Sequence, residues 1–139
     1  MSLAENKRAV ERIHLEVNDQ DRYDLLAELV AEDMVIHSPV PVPLQGREGF
    51  QTLLGFFRAS FPVQRTAIHA LIAEGELVAS HHSHHATHGG DFLGLPATGR
   101  EIVVDGVEVF RFADGKVVEF WHNDDMLSLF QQLGLVPAQ

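Results

Sequence analysis

Cysteine is absent from these 139 residues, which removes disulfides, thiolate nucleophiles and cysteine-held zinc or iron–sulfur centres together. No apolar run approaches the roughly 20 residues a membrane span needs. The charged opening, residues 1–14, has no apolar segment of the kind a secretory signal carries. Positive charge is also scarce: 10 Lys and Arg against 20 Asp and Glu leave a net charge of −10, and the basic residues are scattered, with no cluster beyond the Lys7-Arg8 pair. A polyanion would be repelled by such a surface. The expectation is a soluble, cytoplasmic protein that binds neither nucleic acid nor membrane.

What is present is ordinary globular material, 45% hydrophobic and 22% charged, of a length that suits one domain over residues 1–139. Val10, Ile13, Leu15 and Val17 mark a first helix, and Tyr23, Leu25, Leu26, Leu29 and Val30 a second, shorter one. A short strand at 34–37 is stopped by Pro39, Pro41 and Pro43. Phe50, Leu53, Leu54, Phe57 and Phe61 form the stripe of a third helix that Pro62 ends. The period then changes to strands. Residues 66–73 and 77–88 flank a glycine turn, and a glycine-rich loop follows. Residues 101–112 and 117–122 flank Asp114-Gly115. A closing helix at 127–133 ends at Gly134. Helices first and hairpins afterwards predict an α+β fold, with helices on the concave side of a curved, mostly antiparallel sheet and a cavity between the layers.

Several residues fall in a pattern: Ala73-Glu74-Gly75, Thr87-His88, Gly90, Phe92, Gly94, Pro96, Thr98-Gly99, Arg111-Phe112, Asp114-Gly115-Lys116, Glu119, Trp121, Asp125 and Gln132-Leu133-Gly134. His37, Gly46, Gly49 and Phe61-Pro62 extend it into the first half. In this pattern the chain resembles the SnoaL-like polyketide cyclases of the nuclear transport factor 2-like superfamily. It departs from them at Val63 and at His81, His82, His84 and His85. The resemblance implies a cone-shaped fold around a pocket and a cofactor-independent, intramolecular aldol-type ring closure. In that reaction a carboxylate takes a proton from an activated carbon. Asp125 matches the family's acid/base aspartate, and His88 alone of its cluster falls on a matched position, as a polariser or proton relay.

The residues also carry an argument of their own. Val117, Glu119, Trp121, Asn123 and Asp125 share one face if the last strand persists. Trp121 would then wall Asp125 and raise its pKa toward competence as a base. Asp is equally a favoured N-cap, and Asp125 precedes the last helix, although Asp124 can fill that role. Five of the nine histidines lie at 81–88. His82, His84 and His88 point one way in a strand, and His81 and His85 the other. Ordinary pocket or interface histidines and a metal site are both open readings; no metal and no cofactor is the expectation. Arg111 either pairs with Asp105 or holds a substrate oxygen. His37 is a rim candidate, and Phe57 core or pocket wall.

Three functions compete: an acid/base enzyme of cyclase or isomerase type acting on a small hydrophobic carbonyl compound, a non-catalytic binder of such molecules, and an interaction module. The apolar strands 102–112 and 117–121 also predict a homodimer or tetramer packed through the sheet.

Overall fold

A computed structural model describes residues 2–40 and 44–137, so Pro41 and Pro43 lie outside the described residues. Helix α1 (Leu3–Arg12) starts at a capping box, with the Ser2 side chain accepting from the Glu5 amide and Glu5 reaching back. It continues as a wider π-turn over Ile13–Asn18. Val10, Ile13, His14 and Val17 are buried. They recur at the i, i+3, i+4, i+7 spacing of one helical stripe. His14, not the expected Leu15, therefore takes the inward place.

A 3₁₀ turn (Tyr23–Leu25) and the short α2 (Leu26–Leu29) lead into β1 (Val30–His37), earlier than Met34 suggested. Helix α3 (Gly46–Ser60) follows. Gly46 sits at φ +70°, and a Cβ there would meet the Glu32 carbonyl oxygen at 2.6 Å. The hairpin β2 (Val63–Glu74) and β3 (Leu77–Thr87) comes next. After the loop come β4 (Glu101–Ala113) and β5 (Lys116–Trp121), joined through Asp114 and Gly115 at positive φ, as a two-residue hairpin turn requires. Helix α4 (Met126–Leu133) ends at left-handed Gly134.

The strands form one sheet in the order β1-β5-β4-β3-β2, antiparallel except for the β1–β5 pair. The helices cover one face, α1 against β2 and β3, α3 against β1, and α4 against β4. Phe50, Val78, Phe110 and Phe120 form the centre of the core. Phe61, Phe92, Ile102, Val104 and Leu129 form a second cluster beneath the glycine-rich loop.

One irregularity decides the geometry of the site. Arg111 pairs with Glu119, but Phe112 pairs with Val117, so Val118 is an extra residue in β5. A bulge of this kind resets which side chains point inward. Val117 and Phe120 both face the core, and the inward series continues as His122 and Asp124. The even count from Val117 to Asp125 is broken.

Candidate functional site

Between α1, α3, α4 and the covered face of the sheet lies a narrow cavity. Its walls are apolar, from Ile13, Phe50, Leu53, Phe57, Phe61, Ile102 and Leu129. Its polar end holds His14, His84, Glu108, His122 and Asp124. The cavity volume is about 80 Å³. This is well below the roughly 300–1,000 Å³ of pockets that enclose a drug-sized ligand, so a substrate enters by one end or widens the mouth.

Each polar group has a local reason to be there. His82 and His84 are alternate residues of β3 and share its inner face. Glu108 continues the inward series Ile102, Val104, Gly106, Phe110, Phe112 of β4. Asp124 lies opposite Gly106 in an isolated bridge, and a side chain on Gly106 would run into the Asp124 carboxylate.

Asp124 is the hub. His82 Nε2 stands 3.0 Å from its Oδ1 and His122 Nε2 2.9 Å from its Oδ2. His84 Nε2 is 3.6 Å from Oδ2. Glu108 Oε2 lies 3.7 Å from both His82 and His122, and Glu108 Oε1 4.0 Å from His14. Burial pushes the Asp124 carboxyl up, but hydrogen bonds from His122 and His82 outweigh it and hold the group well below the carboxylate range. Burial, with the charge of Asp124 beside it, pushes the Glu108 carboxyl well up, toward its protonated form. Burial lowers His84 to about 4 despite Asp124, and it lowers His14 well below the usual imidazole value. The two carboxyls are therefore pushed in opposite directions, Asp124 toward its ionised form and Glu108 toward its protonated form, beside two imidazoles, His14 and His84, pushed toward their neutral form.

Hydrogen-bond direction adds detail. Thr66 Oγ1 donates to Asp19 Oδ1 at 2.8 Å, so it accepts from His84 Nδ1 at 3.0 Å. His84 Nε2 is then an unprotonated lone pair beside the cavity.

The residues expected from sequence divide accordingly. Phe57, His82 and His84 come together here, with His82 buried behind the cavity wall. Asp125 does not. It is exposed and caps α4, accepting the Ser128 amide at 3.0 Å. Asp124 points inward instead, the reverse of the expected division, because of the Val118 bulge. His88 is buried but outside the cavity lining. Its Nδ1 accepts from the Thr98 amide at 3.2 Å and its ring packs on Phe61, which anchors the glycine-rich loop. Arg111, Trp121 and His37 lie on the opposite face of the sheet. Arg111 pairs with Glu119 at 3.0 Å rather than with Asp105, and Trp121 stacks on His37. His14, Glu108 and His122 were not anticipated; the α1 stripe and the β4 alternation carried the signal for the first two.

Comparison with known proteins bears on the family and the fold. The profile of the SnoaL-like polyketide cyclase family matches residues 8–133. Aklanonic acid methyl ester cyclase DauD of Streptomyces sp. (strain C5) is 26% identical over 129 residues, 92% of this chain and 78% of that protein. The structure of IdmH, a putative polyketide cyclase from Streptomyces antibioticus, is 28% identical with a TM-score of 0.81, covering 93% and 98% of the two chains. AclR, a putative hydroxylase from Streptomyces galilaeus, is 29% identical with a TM-score of 0.85, covering 99% and 86%. Like these neighbours, the chain has the nuclear transport factor 2-like architecture, and no helix among its described residues is long and apolar enough to cross a membrane.

Proposed function

The chain belongs to the SnoaL-like polyketide cyclase family, and on that premise we propose that it is an acid/base enzyme of cyclase or isomerase type. Its substrate is a small hydrophobic carbonyl compound whose reacting end enters the cavity. The observation that carries this reading is the divided pair of buried carboxyls, Asp124 and Glu108, at the polar end of an apolar cavity.

The roles follow from protonation. The His84 Nε2 lone pair takes a proton from the carbon next to the carbonyl; burial makes it a weaker base than a free imidazole, and the charge of Asp124, 3.6 Å away, offsets part of this by stabilising the imidazolium that forms. Glu108 donates its proton to the carbonyl oxygen as charge develops there, giving an enol. In a substrate with a second carbonyl, that enol is the nucleophile for ring closure. A pure binder of apolar molecules gains nothing from ionisable groups in such a cavity, since each costs free energy to bury. The expected homodimer or tetramer is part of the proposal. Ile72, Val103 and Val107 stand exposed outside the core, and sedimentation showing only monomer at micromolar concentration would remove it.

The test is exchange of the α-hydrogens of aromatic β-keto esters in D₂O, followed by NMR. The protein should accelerate exchange with at least one member of the panel. Asp124→Asn, which removes the charge that stabilises the His84 imidazolium, should lose about 100-fold or more, as much as a lost acid/base group, while Asp125→Asn keeps the wild-type rate. Equal losses in both variants, or none in Asp124→Asn, would return the assignment to the surface aspartate or abolish it.

A further inference from the structure

We propose that the histidine–carboxylate cluster is a metal centre, in which His82, His84, Asp124 and Glu108 bind one divalent first-row transition ion of the zinc type. One nitrogen or oxygen from each of these four residues lies within 4.8 Å of all the others. Ligands about 2.0–2.2 Å from a shared ion stand roughly 3–4 Å apart. The observed separations fit: His82 Nε2 lies 3.0 Å from Asp124 Oδ1 and 3.7 Å from Glu108 Oε2, and His84 Nε2 lies 3.6 Å from the other oxygen of the Asp124 carboxylate. The inference goes beyond the acid/base reading and holds whether or not a carbonyl compound is turned over.

Hydrogen-bond accounting points the same way. His82 Nδ1 lies 3.1 Å from the Ser80 carbonyl oxygen, an acceptor for its N–H, and 3.2 Å from Ser80 Oγ. In the tautomer that donates to the carbonyl, Nε2 offers its lone pair on the side of the Asp124 carboxylate, 3.0 Å away, where a shared ion would sit. His84 is fixed in the same tautomer by Thr66, with Asp19 behind it. A metal-bound histidine almost always donates its other ring N–H to a backbone carbonyl, carboxylate or comparable acceptor. Both rings do so here. His122 holds Asp124 Oδ2 at 2.9 Å and leaves Oδ1 to the ion.

Two imidazoles and two carboxylates suit zinc, iron(II) or manganese, whereas calcium and magnesium prefer an all-oxygen shell. Proton and metal compete for the same lone pairs, so the two states exclude each other. Held by these four residues, such an ion would supply Lewis-acid chemistry toward a carbonyl oxygen, the role that Glu108 fills through its proton in the metal-free state.

The experiment uses the full chain without an affinity tag. The protein is stripped with EDTA, dialysed against micromolar zinc sulfate or cobalt chloride, and assayed by elemental analysis and by the visible absorption of cobalt. The result expected is about one ion per chain, with cobalt bands of a nitrogen- and oxygen-ligated site. His84→Gln and Asp124→Asn should each weaken binding by tenfold or more, while His81→Gln, on the other face of β3, changes nothing. Circular dichroism of each variant checks that it is folded. If a variant is not, competition between zinc and acid in the wild type decides, since uptake must release protons. Less than a tenth of an ion per chain would overturn the proposal, as would undiminished binding in folded His84→Gln and Asp124→Asn proteins or zinc uptake without proton release. None of these results depends on activity, so the enzyme reading stands or falls separately.

Discussion

The two faces of the sheet carry nearly the same chemistry with different consequences. On the outer face His37 lies 2.7 Å from Glu119, Glu119 also meets Arg111 at 3.0 Å, and Trp121 stacks on His37. On the inner face His82 and His122 lie 3.0 and 2.9 Å from Asp124. The outer contacts are as short as the inner ones. What differs is water. Outside, hydrogen bonds from His37 and Arg111 lower Glu119, but solvent screens the charges and competes for each partner. Inside, no solvent offsets a missing partner, so protonation states are forced apart. A sequence pattern picks out the outer residues as readily as the inner ones, and only burial tells a site from a surface ion pair.

The largest effect expected from this contrast is on stability. Asp124→Ala leaves the buried His82 and His122 rings without their hydrogen-bond partner and should cost about 1–3 kcal/mol. Urea unfolding would read this as a fall in midpoint at unchanged slope. Glu119→Ala, at contacts just as short, should leave the midpoint nearly where it was. Equal losses on the two faces would break the comparison.

The next effect is on pH dependence in the metal-free protein. Between about pH 4.5 and 6.5 the unfolded chain protonates His14 and His84, which the folded protein keeps neutral. Over the same range the folded protein holds the Glu108 proton that the unfolded chain releases. Two protons favour the unfolded state and one the folded state. Their contribution therefore makes stability rise with pH, by about 1.4 kcal/mol per unit. Glu108→Gln removes the opposing proton and should make this rise about twice as steep. An unchanged slope would mean that Glu108 is ionised in the fold.

The smallest effect is at Asp125. Asp125→Ala should cost about 1 kcal/mol through the lost cap of α4, and Asp125→Asn close to nothing, since Asn caps as well. A larger loss would give the exposed aspartate a role beyond capping.

The fold was legible because its punctuation is local. Pro62, Asp114-Gly115 and Gly134 act through their own backbone preferences, and the helical stripes and strand alternation lie between them. The site was legible only in part. His82 and His84 follow from alternation along an unbroken stretch of β3. Asp124 does not, because a bulge at Val118 intervenes, and a bulge depends on how β5 pairs with β4. His14 and Glu108 lie on the periodicities that locate the core, but both are polar, and those periodicities are carried by apolar residues. A polar residue on an apolar stripe was the available signal.

The central claim is that ligand chemistry takes place at the inner cluster and not at the family-matched surface aspartate or the outer histidine. Side-chain ¹⁵N–¹H correlation spectra of the histidines, recorded during titration with an aromatic β-keto ester that the exchange assay identifies, test it most directly. The account predicts that the ring signals of His84 and His122 move together and saturably, with His37 and His81 still. Shifts confined to His37 and the indole of Trp121, with the inner rings unmoved, would contradict it.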